Sequence, residues 1–358
     1  MNDETQGPAS ELSYVPYADD VEVQQPDEAA KTQQIVDIML AANKANADKH
    51  RHGIRDAHAK IHGVLVGELQ VYPDLPPHLA QGLFAEPATY PVIIRLSSAP
   101  GDLGDDKVPT PRGMALKVIG VPGPKLLPGH EDDLTQDFLM VSLPTLAFGD
   151  VAKYLEMQEI LAKQADAPDV LKQITATFAR GAKEVMAHLG IENATVEGIG
   201  VDHDHILGQT FHSMAAMRYG DHIAKISVAP LSEEVRELSD VKIDPDGNPS
   251  RIRDSVVEFF AEHGAEYEMR AQLCTDLDTM PVEDASVLWS EEDSPHQPVA
   301  KIVLPRQDAY DARRRVYADD VLEFNPWHAI AAHRPANGPA RSRNRAVGGS
   351  SWPTIRWG

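Results

Sequence analysis

With 358 residues, 42% of them apolar, the chain is long enough to bury one large core with decorations. A formal net charge of −22 and a pI near 5.0 argue against nucleic-acid or anionic-membrane binding, since both need clustered cations. The single cysteine, Cys274, excludes an intramolecular disulfide, and the first residues hold neither a basic stretch nor an apolar run, so a cytoplasmic protein without a membrane span is expected.

Residues 1–28, rich in Asp, Glu, Gln and Pro, predict an extended or disordered acidic arm. A main domain is expected over 29–335 and a basic irregular tail over 336–358. The domain opens with a helical pattern from Ala29 to Ala47, with Ile35, Ile38, Met39 and Ala42 on one face. Apolar or alternating runs then predict four strands, Ile61 to Tyr72, Pro91 to Ala99, Gly113 to Val121 and Thr135 to Leu143. Two helices follow, Phe148 to Gln164 and Pro168 to Leu189. After them come strands Ile206 to Tyr219 and His222 to Ala229, joined by the hairpin-compatible pair Gly220-Asp221. A helix from Ser250 to His263 buries Ile252, Val256, Phe259 and Phe260, and strands Glu266 to Thr275 and Val299 to Leu304 bring the count to eight. Eight antiparallel strands suit a closed barrel with helices packed outside it, an α+β arrangement.

Chemistry concentrates in Arg55-Asp-Ala-His-Ala59, at the opening of the first strand, and Arg95-Leu-Ser-Ser98 on the second. Alternation puts Arg95 and Ser97 on one face, so a cation and a hydroxyl point the same way. A histidine beside them suits acid/base work near an anionic ligand. A half-buried structural histidine is the plain alternative for His58. Arg55 and His58 share a face only if the strand entry is irregular. Arg112 reads as a surface or interface salt-bridge residue. Asp202-His-Asp-His205 and His50-Arg-His52 have metal-like spacing without a third ligand, and their other reading is solvated loop histidines. Cys274 reads as a buried, inert thiol. The tail cations Arg341, Arg343, Arg345 and Arg356 suit a solvated end or docking on an acidic neighbouring subunit of a homo-oligomer.

Together, Arg55-Asp-Ala-His58, Arg95-Leu-Ser-Ser98, Arg112-Gly-Met-Ala-Leu-Lys-Val118, Gln136-Asp-Phe138, Tyr219-Gly-Asp-His-Ile-Ala-Lys225 and Phe324-Asn-Pro-Trp-His328 resemble the haem-dependent catalase family, most closely its small catalase-like bacterial branch. The resemblance implies an eight-stranded antiparallel barrel with an N-terminal arm, helices inserted after the fourth strand, a wrapping C-terminal segment and bound haem b (protohaem). His58 corresponds to the distal histidine that moves a proton between the oxygens of a peroxide, and Ser97 to the serine orienting it. Arg55 and Arg95 correspond to haem propionate ligands, and Phe148 to an aromatic packed near the macrocycle. Ser142 stands where the family has a distal asparagine. The family's iron-ligating tyrosine should fall near Val347 or Gly348, yet no tyrosine follows Tyr317, which has Arg313 four residues before it. The iron ligand stays unassigned.

These features imply a peroxidase-type oxidoreductase acting on hydrogen peroxide or an organic hydroperoxide. A catalase-fold protein without catalysis, holding haem weakly or another apolar ligand in the barrel, is the rival reading. A metal-binding protein using residues 202–205 is the third.

Overall fold

A computed structural model describes residues 12–50, 55, 57–99, 103–107, 110–146, 148–164 and 203–336. Alternating apolar residues produce strands β1 (Ile61–Val71), β2 (Thr89–Ser98), β3 (Arg112–Ile119) and β4 (Thr135–Val141). A second set comprises β5 (Phe211–His212), β6 (Met217–Tyr219), β7 (His222–Pro230), β8 (Ala265–Leu273) and β9 (Gln297–Leu304). All pairings are antiparallel, and β5 bonds to both β4 and β7. The ring β1-β2-β3-β4-β5-β7-β8-β9 therefore closes as an eight-stranded barrel, with β6 added beside β7.

One continuous strand from Ile206 to Tyr219 is not what forms. The segment divides into a helical turn at Ile206–Gly208, then β5, then β6. Met214 adopts φ +56, and the Ser213 hydroxyl takes the Ile226 N–H, so a side chain replaces one rung of the ladder. The Gly220-Asp221 turn forms as the sequence implies, with Gly220 at φ +62.

Inside the ring, Leu65, Leu69, Ile94, Leu96, Leu116, Phe138, Ile226, Tyr267, Met269 and Ile302 belong to one buried cluster. An eight-stranded barrel is just wide enough for side chains to fill it. Tyr219 and Tyr267 donate their phenols to the carbonyls of Leu79 and Leu207, both at 2.8 Å. These side chains fill the lumen, which directs the search for a binding surface to the outer wall.

Helix α1 (Glu28–His50) packs on α2 (Val151–Gln164) through Ile35, Val151, Tyr154 and Leu155. Helix α3 (Arg251–Glu262) lays Ile252, Val256 and Phe260 against the barrel core. Helix α4 (Ala312–Asp320) covers Ile61, Val64 and Ile93 on the outer wall with Ala318, and Leu322 just beyond it adds to the same cluster. Ahead of α1, residues 14–22 run against the β6–β7 hairpin, with Val15 and Tyr17 donating to the carbonyls of Cys274 and Asp221. The second helix expected over 168–189 lies outside the described residues, as do most of the basic tail and the Arg51-His52 pair. Among the described residues, no helix is long and apolar enough to cross a membrane.

The C-terminal segment then places His333, which is 1% exposed, between the rings of Phe84, Phe138 and Tyr219. Its Nε2 accepts the Leu83 N–H at 2.9 Å, and burial lowers its pKa to about 3. The imidazole is therefore neutral when folded, whereas in the unfolded chain it titrates near 6.5. Below that value the unfolded state binds the extra proton, so acidification favours unfolding. Between pH 6.5 and pH 5 His333 alone removes about 2 kcal/mol of stability. Denaturant titrations at the two pH values check this, and His333→Gln, which retains an acceptor, should lose that share of the dependence.

Candidate functional site

The outer wall of β1–β4 is built by register. Arg95 pairs with Val64 on one side and Ala115 on the other, and Ala115 pairs with Leu139. One step along, Ser97 pairs with Ile61 and Gly113, and Gly113 with Val141. Since side chains alternate across a sheet, these two rows face outward together. Ala115, Leu139 and Val141 are half-buried, so small and aliphatic groups form a floor.

The loop before β1 delivers His58 to this floor. Its backbone is left-handed at φ +56, which is the irregular entry that the odd spacing from Arg55 requires, and β1 begins only at Ile61. The His58 N–H donates to the Ala99 carbonyl at 2.9 Å. Its Nδ1 lies 3.2 Å from the Ser97 hydroxyl. Gly113 makes this possible: a Cβ there would sit 2.4 Å from His58 Nδ1 and 3.0 Å from Ser97 Oγ. The imidazole thus rests directly on the β3 backbone.

Arg95 is 2% exposed, and its Nη2 donates to the Ala59 carbonyl at 3.1 Å, so it also pins the loop carrying His58. Its Nε has no hydrogen-bond partner among the described residues. Burial, with Arg55 nearby, pushes its pKa down to about 9. A desolvated guanidinium with an unused donor favours an anion beside it.

Solved structures with the same architecture put this wall in context. A fungal catalase matches with a TM-score of 0.59 and 16% identity, over 85% of this chain and 60% of that one. Catalase A from Saccharomyces cerevisiae matches at 0.57 and 15% identity over 85% and 62%, and a bacterial catalase at 0.57 and 15% over 87% and 60%. The fold is that of the catalases. The chain spans about 60% of the length of these catalases. No protein-family model and no curated protein sequence matches it.

Other candidate residues fall elsewhere on the catalase-like barrel. Arg112 is not a surface salt-bridge residue: it is 1% exposed and pairs with Ser98, one step out of phase with Arg95 and so on the opposite face. Its Nη1 donates to Ser98 and Thr110 at 3.0 and 2.8 Å, and burial lowers its pKa to about 10. Ser98 also meets His62 Nε2 at 2.7 Å, and burial together with Arg112 holds that imidazole well below its ordinary pKa.

Arg55 donates to the carbonyls of Ala318 and Leu322 at 2.7 and 2.6 Å and approaches Asp319 at 3.6 Å, so it seals the C-terminal end of α4. The Ser142 hydroxyl accepts the Arg112 N–H at 3.0 Å. Phe148 packs with Ile35 and Val151 in the α1–α2 cluster. Tyr317 is 49% exposed. Val347 and Gly348 lie outside the described residues, as does Asp202. Asp204 pairs with Lys242, and His205 is buried with Nδ1 accepting the Leu207 N–H, so these two groups serve local structure. Cys274 is buried, and burial raises its thiol to about 11, which leaves it protonated and unreactive.

Sequence reasoning missed the floor residues Gly113, Ala115, Leu139 and Val141. Strand alternation counted from Arg95 and Ser97 through the ladder would have found them.

Proposed function

We propose that the chain is a catalase-like haem protein of the small bacterial branch, working as a peroxidase-type oxidoreductase on hydrogen peroxide or an organic hydroperoxide. The observation that carries this reading is His58 against Ser97 on the Gly113 backbone, beside a buried arginine with an orphaned Nε. On the barrel side these residues suit haem b: an apolar floor for a flat macrocycle, and Arg95 for a carboxylate at its edge. Arg55 would serve a carboxylate only by sharing donors now given to α4. When bound, haem would supply redox chemistry at iron.

The protein's own part is proton management. With Nδ1–H donating to Ser97, His58 Nε2 carries the lone pair that takes the proton from a hydroperoxide O–H. The same nitrogen returns it to the departing oxygen. Ser97 holds the tautomer, and Ser142 is proposed as a distal hydroxyl that can still donate while accepting from Arg112.

Val347 and Gly348, which stand where the resemblance puts the iron-ligating tyrosine, favour a second reading, a catalase-fold protein that holds haem weakly and lacks catalysis. One experiment separates them. Purified protein is mixed with haem, desalted, and scanned before and after a pulse of hydrogen peroxide. A retained ferric Soret band with dye oxidation or oxygen release is expected. Protein that leaves the column colourless sinks the enzyme reading.

A further inference from the structure

We propose that His130, Asp133 and His328 form a binding site for a divalent transition-metal cation of the zinc type, clamping the β3–β4 loop to the C-terminal segment. Among the described residues these three offer ligand atoms within 4.8 Å of one another. His130 and Asp133 stand on one tight turn, where Asp133 N–H donates to the His130 carbonyl at 3.1 Å. His130 Nδ1 lies 2.9 Å from Asp133 Oδ2. His328 arrives from the other end of the chain, its ring 4.8 Å from that of His130.

The decisive atom is His328 Nε2. His328 is 3% exposed, and its backbone is pinned by N–H donation to Asn325 and by its carbonyl accepting the Asp137 N–H at 2.8 Å. Its Nδ1 faces Asp137 Oδ2 at 3.3 Å. A carboxylate only accepts, so Nδ1 bears a hydrogen, which leaves Nε2 as the nitrogen that can offer a lone pair to a metal. That nitrogen is buried, has no hydrogen-bond partner among the described residues, and points at Asp133 Oδ2 from 3.6 Å. A buried ring nitrogen facing a carboxylate oxygen at that distance calls for a cation between them, a proton or a metal ion.

The surroundings agree. Asp137 is the carboxylate that orients a ligating histidine from behind, and its own charge is matched by Lys117 at 2.6 Å. Lys125 spends its ammonium on the carbonyls of Val121 and Gly123. The side chains of His130 and Asp133 remain 39% and 46% exposed, which gives the ion an entry path and a water in the fourth position. Two imidazoles and one carboxylate suit zinc or a similar cation and disfavour magnesium or calcium.

The test is equilibrium dialysis of haem-free, full-length protein against chelator-buffered zinc, with metal content read by atomic emission, and with cobalt(II) as an absorbing substitute. One equivalent is expected, together with the intense visible bands of four-coordinate cobalt. His130→Ala and Asp133→Asn alter half-exposed side chains and should each weaken zinc at least about tenfold, since even outer-sphere losses cost that much. His203→Ala, in the other histidine-rich stretch, should leave the affinity unchanged. The proposal is overturned if the wild type retains no zinc, or if it retains the same zinc in the His130→Ala and Asp133→Asn variants. Neither result bears on haem.

Discussion

Replacing His58 with alanine should leave the added-haem spectrum in place while peroxide turnover falls about 10²–10⁴-fold, the usual share of a positioned acid/base group. The reasoning rests on geometry. The side chain stands on Gly113 and against Ser97, whereas the Arg95 guanidinium hydrogen-bonds the backbone carbonyl of Ala59, which the substitution retains. Binding and proton transfer are thus carried by different atoms. Stopped-flow mixing with peroxide, at matched haem occupancy, gives the rate. An unchanged rate would remove His58 from the chemistry; a lost Soret band would make it a binding residue instead.

Lys117→Met should lower the unfolding free energy by about 3–5 kcal/mol, the usual cost of leaving one member of a buried ion pair alone. Lys117 is 7% exposed and Asp137 2%. Its ammonium meets both carboxylate oxygens at 2.6 and 2.8 Å. Without it, the Asp137 carboxylate retains, among the described residues, the Asn325 N–H at 3.0 Å and His328 Nδ1 at 3.3 Å. The double variant Lys117→Met/Asp137→Leu should recover part of the loss, because no uncompensated charge remains. Urea titration of the three variants settles it: a single-variant loss below about 1 kcal/mol would mean that water reaches the pair, as it does at surface ion pairs.

Strand positions were legible because each has an apolar face, and β1, β4, β8 and β9 stand within a few residues of where the alternation puts them. The break between β5 and β6 was not, since it depends on a left-handed Met214 and a serine that substitutes for a backbone rung. For the site, the parity of Arg95 and Ser97 was readable, and so was the need for an irregular turn at His58. The same parity, applied one strand further with its register, separates Arg112 from Arg95. Register itself is set by pairing and cannot be seen in a single strand. The cluster of His130, Asp133 and His328 joins residues almost two hundred positions apart, and no local spacing announces it.

Barrel closure also dictates when this protein can fold. β1 at residues 61–71 finds one neighbour at once in β2, but its other neighbour is β9, at 297–304. The α4 helix, which covers the outer wall, and the segment through His333 come later still. During synthesis the edge of β1 and the apolar inner faces therefore wait for most of the chain to leave the ribosome. Such non-local pairing is slow and exposes sticky surface meanwhile. The strongly acidic composition, through mutual repulsion between unfinished chains, works against aggregation over that interval.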